Sequence, residues 1–192
     1  MKLKIVSLDP SIHDRGAFSC GHEGVDRYLH TTAAQAARYF KSATFVLLAP
    51  ESPTNILGFY TLSQHGYRDQ ELDPVTARAL KVAHFEQIPM ILLGQLGIVK
   101  DYQGRGLGKM LLWDAMYRSF VVAGEIGGVA LITDPIDDRA RDFFACFGFA
   151  MLHEQPFRRM LLPMGTLRKA IGASRQRWQP LSPVRNPRTP ER

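Results

Sequence analysis

The chain has 192 residues, of which 45% are hydrophobic and 22% charged, and a net charge of +6, a balance that suits one globular domain with a sizeable core. It contains no run of about 18 apolar residues, so no transmembrane helix is expected, and the apolar stretch in MKLKIVSLDP is too short for a secretory signal. Cys20 and Cys146 lie far apart and outside any C-x-x-C pair, which points to a reduced, cytoplasmic protein without disulfide or structural metal.

Residues 3–8 alternate well enough for an edge strand. From 24 to 40, Val25, Tyr28, Leu29, Thr32, Ala33, Ala36, Ala37 and Phe40 recur with a period of about 3.6, which predicts an amphipathic helix. ATFVLLA (43–49) and ILGFYTLS (56–63) read as the strands of a hairpin, with Pro-Thr-Asn as its turn. Residues 74–81 predict a short helix, Pro74 suiting its first turn. PMILLGQLGIV (89–99) reads as a buried strand in which Gly94 and Gly97 mark a bulge or a close backbone approach. A helix over 106–122, a strand over 127–133, a helix over 137–146 capped by Asp137, and strands over 147–153 and 157–163 complete an α/β domain around a mixed sheet.

This domain is expected to span 1–165. The charge excess lies beyond it: residues 166–192 hold Arg168, Lys169, Arg175, Arg177, Arg185, Arg188 and Arg192 against Glu191 alone. With Pro180, Pro183, Pro187 and Pro190 in the same stretch, a tail largely disordered beyond residue 180 is expected. It serves either as a solubilising end or as an arm that attracts phosphates.

The segment YQGRGLGKMLLWDAM (102–116) places Gly104, Gly106 and Gly108 directly before a strong helix former. It is not a P-loop, because Met110 stands where Ser or Thr is needed and Gln103 where the first glycine is needed. GRGLGK does not satisfy G-x-G-x-x-G either. What remains is Q-x-x-G-x-G between a buried strand and a helix. Such a loop is either a tight turn or an anion site, since amide hydrogens at a helix N-terminus lack internal partners and the helix dipole favours negative charge.

Strand, Q-x-x-G-x-G loop and helix together resemble the acetyl-CoA signature of the GNAT acetyltransferases. FSCGHEGVDRYLHTTAAQAAR (18–38), GFYTLS (58–63), IPMILLGQLGI (88–98), IGGVALITDPIDDRARDFFACFGF (126–149) and PFRRMLLPMGTL (156–167) extend the likeness to the tRNA-acetylating toxins of toxin–antitoxin operons. The resemblance implies a mixed, mostly antiparallel twisted sheet with helices on both faces. Two central strands splay to admit the pantetheine arm of acetyl-CoA against the backbone of Leu96, Gly97 and Ile98. It places the pyrophosphate on Gly104, Arg105, Gly106, Leu107, Gly108 and Lys109, with Gln103 and Asp137 in the same cofactor-binding set. An amide at the splay, Ile98, would polarise the thioester carbonyl. No metal is implied.

The family's proton donor to the departing thiolate is a tyrosine in A-x-x-F-Y-x-x-x-G-F, and here ARDFFACFGF puts Phe144 at that position. Three readings stand: an engineered Tyr-to-Phe change, a natural protein that uses water or another donor, or a protein that binds acyl-CoA without efficient chemistry. Tyr60 and Tyr102 are expected to pack or to sit at a loop edge.

The resemblance further implies the α-amine of aminoacyl-tRNA as acceptor, a ribbon–helix–helix antitoxin as partner, a homodimer and no membrane. Arg38, Arg78 and Lys81 are candidate phosphate contacts, as are Arg158, Arg159 and the tail, although Arg38 also suits a helix end and Arg158 and Arg159 a solvated strand face. Glu23 and Asp26 either orient an amine or cap the first helix. His65 and His84 are expected in loops or on the surface. A small-molecule or protein N-acetyltransferase and a non-catalytic acyl-CoA-binding protein are the alternatives.

Overall fold

The computed structural model describes residues 3–49, 51–68, 72–82, 85–154 and 158–174. A seven-stranded sheet runs through it in the order β1-β2-β3-β4-β5-β7-β6. The strands are β1 (Lys4–Ser7), β2 (Ala43–Ala49), β3 (Ser52–Arg68), β4 (Gln87–Ile98), β5 (Ala130–Thr133), β6 (Ala150–His153) and β7 (Arg159–Pro163). Only β4 and β5 pair in parallel; every other neighbouring pair is antiparallel. This is the mixed sheet expected. Among the described residues no helix is long and apolar enough to cross a membrane.

Helices cover both faces. On one lie α1 (Glu23–Arg27), a π-helical turn (Tyr28–Thr32), α2 (Ala33–Arg38) and α3 (Pro74–Leu80). Val25, Leu29 and Ala33 pack there against Val46, Leu48 and Phe59, while Ala77 packs with Tyr67, Met90 and Ile132. On the other face α4 (Leu107–Ile126) buries Leu111, Leu112, Ala115 and Met116 against Leu93 and Leu131, joined by Phe144 of α5 (Asp138–Ala145) and Leu167 of α6 (Met164–Ser174). The helix expected over 24–40 is thus interrupted by a π turn. Its displaced carbonyls find a donor: the Arg15 Nη1 bonds the His30 carbonyl at 2.9 Å and reaches that of Leu29 at 3.5 Å.

Three further expectations are corrected. Pro53, Thr54 and Asn55 form no turn but lie inside β3, because Ala49 already pairs with Ser52 and Leu48 with Ile56. The ladder absorbs them as an irregularity, where a proline without an amide hydrogen costs no ladder bond. The boundary at 165 falls inside α6, whose Leu167 is fully buried in the core; residues 175–192 lie outside the described residues. His65 is no loop residue, being in β3, whereas His84 lies outside the described residues.

Candidate active site

The centre of the sheet opens where the sequence places its glycine-bearing strand. β4 and β5 pair only at Ile91↔Leu131, Leu92↔Ile132 and Leu93↔Thr133; β5 then ends and β4 continues to Ile98. The hydroxyl of buried Thr133 donates to the Leu93 carbonyl at 3.0 Å and closes the paired part. Just beyond, Gly94 sits in a bulge: β3 pairs Leu62 with Leu93 but Tyr60 with Leu96, and the extra amide, that of Gln95, bonds the Thr61 hydroxyl at 2.9 Å. The result is a cleft of about 620 Å³ between the two strands.

Backbone direction divides the three predicted arm-binding residues. The Val99 amide bonds the Leu57 carbonyl at 2.9 Å. Alternation along an antiparallel ladder then turns the polar groups of Gly97 toward Phe59, and those of Leu96 and Ile98 away from β3 and into the gap. Leu96 and Ile98 therefore offer amides to an extended ligand, and Gly97 does not. Of the two readings of Gly97, the structure gives the close approach, and it is an approach of the protein's own helix. A Cβ there would lie 3.0 Å from Val25 and 3.3 Å from Phe18, so the glycine lets α1 lie close on the sheet.

The glycine loop continues from β4 through a 3-10 turn, Lys100–Tyr102, into α4. Gly104 (φ 76°) and Gly106 (φ 83°) take left-handed conformations that admit the sharp reversal. Among the described residues, no carbonyl takes the amide hydrogens of 104–109; the first return bond is from the Met110 amide to the Gly106 carbonyl, at 3.3 Å. Free amide hydrogens and the helix dipole converge on the cleft, which Gly104, Gly106, Leu107, Gly108 and Lys109 all line. Arg105 does not line it but lies over the Tyr102 ring, 4.8 Å from the centroid. Gln103 acts on the protein: its Nε2 donates to the Cys20 carbonyl (2.8 Å) and the Ile98 carbonyl (3.0 Å), pinning the loop to the end of β4.

The opposite wall is α5. Asp137 lines the cleft and caps this helix, accepting from the Ala140 amide at 2.7 Å. Phe144 also lines it, 6% exposed, within an aromatic cluster with Phe143 (5.4 Å between centroids) and Phe149 (5.5 Å). A ring at this position carries no proton to give. Near the other rim stands Cys20, whose thiol burial pushes up to about 11, with neighbouring Asp26 adding to the shift. Tyr60 is wholly buried away from the cleft, as expected.

Arg38, Arg78 and Lys81 are not in the cleft. They belong to α2, the last turn of α3 and its left-handed C-cap, all on the same face of the sheet. Arg158 is paired with Asp138 at 2.5 Å. Arg159 is corrected: it is 6% exposed rather than on a solvated face, and its Nε and Nη2 bond both oxygens of Asp134 at 2.6 and 2.7 Å. Asp26 caps no helix but folds back to accept from the Cys20 amide (2.8 Å), while Glu23 pairs with Arg27 at 3.6 Å on the surface. Asp134, at the cleft, was not singled out from the sequence. Its signal was there: a Thr-Asp at the carboxyl end of a buried parallel strand, where open α/β sheets bind ligands.

Comparison with known proteins agrees with this geometry. The family model Acetyltransferase (GNAT) family matches residues 18–149. The chain is 31% identical over 159 residues to a tRNA-acetylating toxin of Mycobacterium tuberculosis, covering 83% of this chain and 91% of the relative. It is 29% identical over 175 residues to a probable toxin TacT of Sinorhizobium fredii, covering 88% and 94%. AtaT complexed with acetyl-methionyl-tRNAfMet shares the fold at a TM-score of 0.77 and 24% identity, over 88% of this chain and 99% of that one. A tyrosine-to-phenylalanine mutant of KacT does so at 0.79 and 23%, with the same coverage.

Proposed function

Since the chain belongs to the acetyltransferase (GNAT) family, we propose that it transfers an acetyl group from acetyl-CoA to the α-amine of aminoacyl-tRNA, as a translation-blocking toxin held in check by a ribbon–helix–helix antitoxin. The observation that carries the reading is the join of two features: β4 and β5 part after Leu93, and the gap runs directly onto the unbonded amides of 104–109. That shape suits one ligand with an extended amide-bearing arm and a diphosphate.

Acetyl-CoA supplies the acetyl group as a thioester. The amides of 104–109 hold the diphosphate, and those of Leu96 and Ile98 receive the arm, Ile98 within reach of the thioester carbonyl. Gln103 keeps loop and strand in register for both. The protein as a homodimer would present Arg38, Arg78 and Lys81 of each copy to tRNA phosphates, and the relative from Mycobacterium tuberculosis, named for acetylating tRNA, supports that acceptor class.

Phe144 leaves the departing thiolate to be protonated by water. Labelled acetyl-CoA and a pool of charged tRNAs test the whole reading: label should pass to the aminoacyl end, and not to polyamines or peptides. In the same assay Phe144→Tyr should raise turnover by at least about tenfold, since a placed general acid typically contributes about a hundredfold to ten-thousandfold. No transfer to tRNA by either protein would overturn the acceptor assignment.

A further inference from the structure

Resting on the acetyl-transfer reading, we infer that Asp134 receives the acceptor's amino group in the cleft and that Arg159 is the positioning residue that holds it there.

Three observations converge. The first is place. Asp134 follows Thr133, the last residue of β5, and lines the cleft at the point where the sheet opens. The second is side. The guanidinium of Arg159 lies 5.6 Å from the Tyr67 ring and its Nη1 is 3.0 Å from the His65 Nε2, on the face covered by α3. The glycine loop opens α4 on the other face. An amine directed at a thioester in the gap therefore meets Asp134 while the carrier occupies the far side. Arg78 and Lys81, on and just after α3, lie over this same face, where the phosphates of a large acceptor would come.

The third is the asymmetry of the ion pair. The Arg159 side chain is 7% exposed and that of Asp134 36%. The cation is enclosed, with Asp134, His65 and Tyr67 around it, while the carboxylate, on a residue that lines the cleft, stays open to a ligand. A bidentate clamp fixes the carboxylate plane, and each oxygen retains a lone pair beyond those the guanidinium uses. A brace that only tied β7 to β5 would gain nothing from an exposed carboxylate on the cleft wall.

Pairing with Arg159 also suits the chemistry. A bare carboxylate favours the charged form of a nearby amine, and an ammonium has no lone pair to attack with. Offset by Arg159, Asp134 can accept an N–H hydrogen bond from the neutral amine and leave its lone pair free. The nitrogen then forms the C–N bond, the C–S bond breaks, and coenzyme A departs as the thiolate. The surplus proton of the nitrogen passes to solvent and Asp134 stays ionised throughout.

The test uses the full chain and a pair of probes, 3′-deoxy-3′-(glycylamino)adenosine and its counterpart without the amino group, titrated by calorimetry with and without coenzyme A. The unaltered protein should prefer the amine probe by about tenfold or more, the worth of a hydrogen bond to a charged group. Asp134→Asn should abolish that preference with coenzyme A affinity unchanged, and Arg159→Lys, which keeps the cation but loses the fork, should reduce it. Should D134N not fold, D134E decides, since its longer side chain keeps the pair but moves the carboxylate and must lower the preference. Retention of the preference in a folded variant, or its absence in the unaltered protein, overturns the assignment. If coenzyme A fails to bind but the amine preference stands, the transfer reading falls and Asp134 keeps its role.

Discussion

Glycines at two positions carry opposite duties. A Cβ on Gly58 would lie 2.5 Å from the Ile98 Cδ1 and 2.9 Å from both the Gly97 carbonyl oxygen and the Leu111 Cδ1. Backbone cannot yield, so Gly58→Ala should destabilise the fold by about 1–3 kcal/mol, the range for an overpacked core, visible as a lower melting temperature. Gly108 differs: a Cβ there meets Phe143 at 3.7 Å, ordinary contact, and its φ is not left-handed. Gly108→Ala in the first turn of α4 should therefore leave the melting temperature unchanged or raise it. If a diphosphate rests on that turn, the added methyl, set beside Phe143 in the cleft wall, would hold it off the amides and should weaken coenzyme A binding by about tenfold, roughly the worth of one good hydrogen bond. A calorimetric titration beside a melt separates the two effects, and an unaltered affinity would take Gly108 out of the anion site.

At the scale of elements, α4 is locked to the sheet by a polar link as well as by its apolar stripe. The Tyr60 hydroxyl of β3 donates to Asp114 of α4 at 2.5 Å, and the Arg118 Nε donates to the same carboxylate at 2.7 Å. Arg118 also lies 4.3 Å from the centroid of Phe45, which stacks on Tyr60. Burial, with the Asp114 charge adding to it, raises the Tyr60 hydroxyl well above the usual tyrosine range. A group that holds its proton more tightly when folded contributes stability below its unfolded pKa, about 10 for tyrosine, and loses it as pH climbs toward the folded value. Melting temperature should fall across pH 10–11, and Tyr60→Phe, though less stable at neutral pH, should flatten that slope.

Most elements could be read in advance because their apolar spacing matches their geometry. The glycine loop, the strand before it and the cap at Asp137 were readable for the same reason: short-range chemistry dictates them. What could not be read depends on partners distant in sequence. The run MGTLRKAIGAS has two glycines and no strong stripe, and becomes α6 because Leu167 fills a core that α4 and the sheet leave open. Pro53 signals a turn, but Ala49 already pairs with Ser52, and the amide of Asp14, far back in the chain, bonds the Thr54 carbonyl, so the segment runs on as strand. Arg159 looked like a surface charge because Asp134 lies far from it in sequence.

As a whole, the molecule is one sheet made of two unequal pieces. Strands β1 to β4 are paired in succession, as are β5, β7 and β6, but among the described residues the two pieces are in register at three residue pairs, with one further backbone bond from the Val129 amide to the Pro89 carbonyl. A seam this short has little of its own to resist shear, so whatever fills the gap below Leu93 also splints the two halves. The amides of Leu96 and Ile98, which face the seam, should exchange their hydrogens for deuterium quickly in the free protein. They should be shielded once coenzyme A is added, while the amide of Gly97, turned toward Phe59, should be slow in both states. An every-second-residue footprint of this kind would show the ligand acting as the sheet's missing strand.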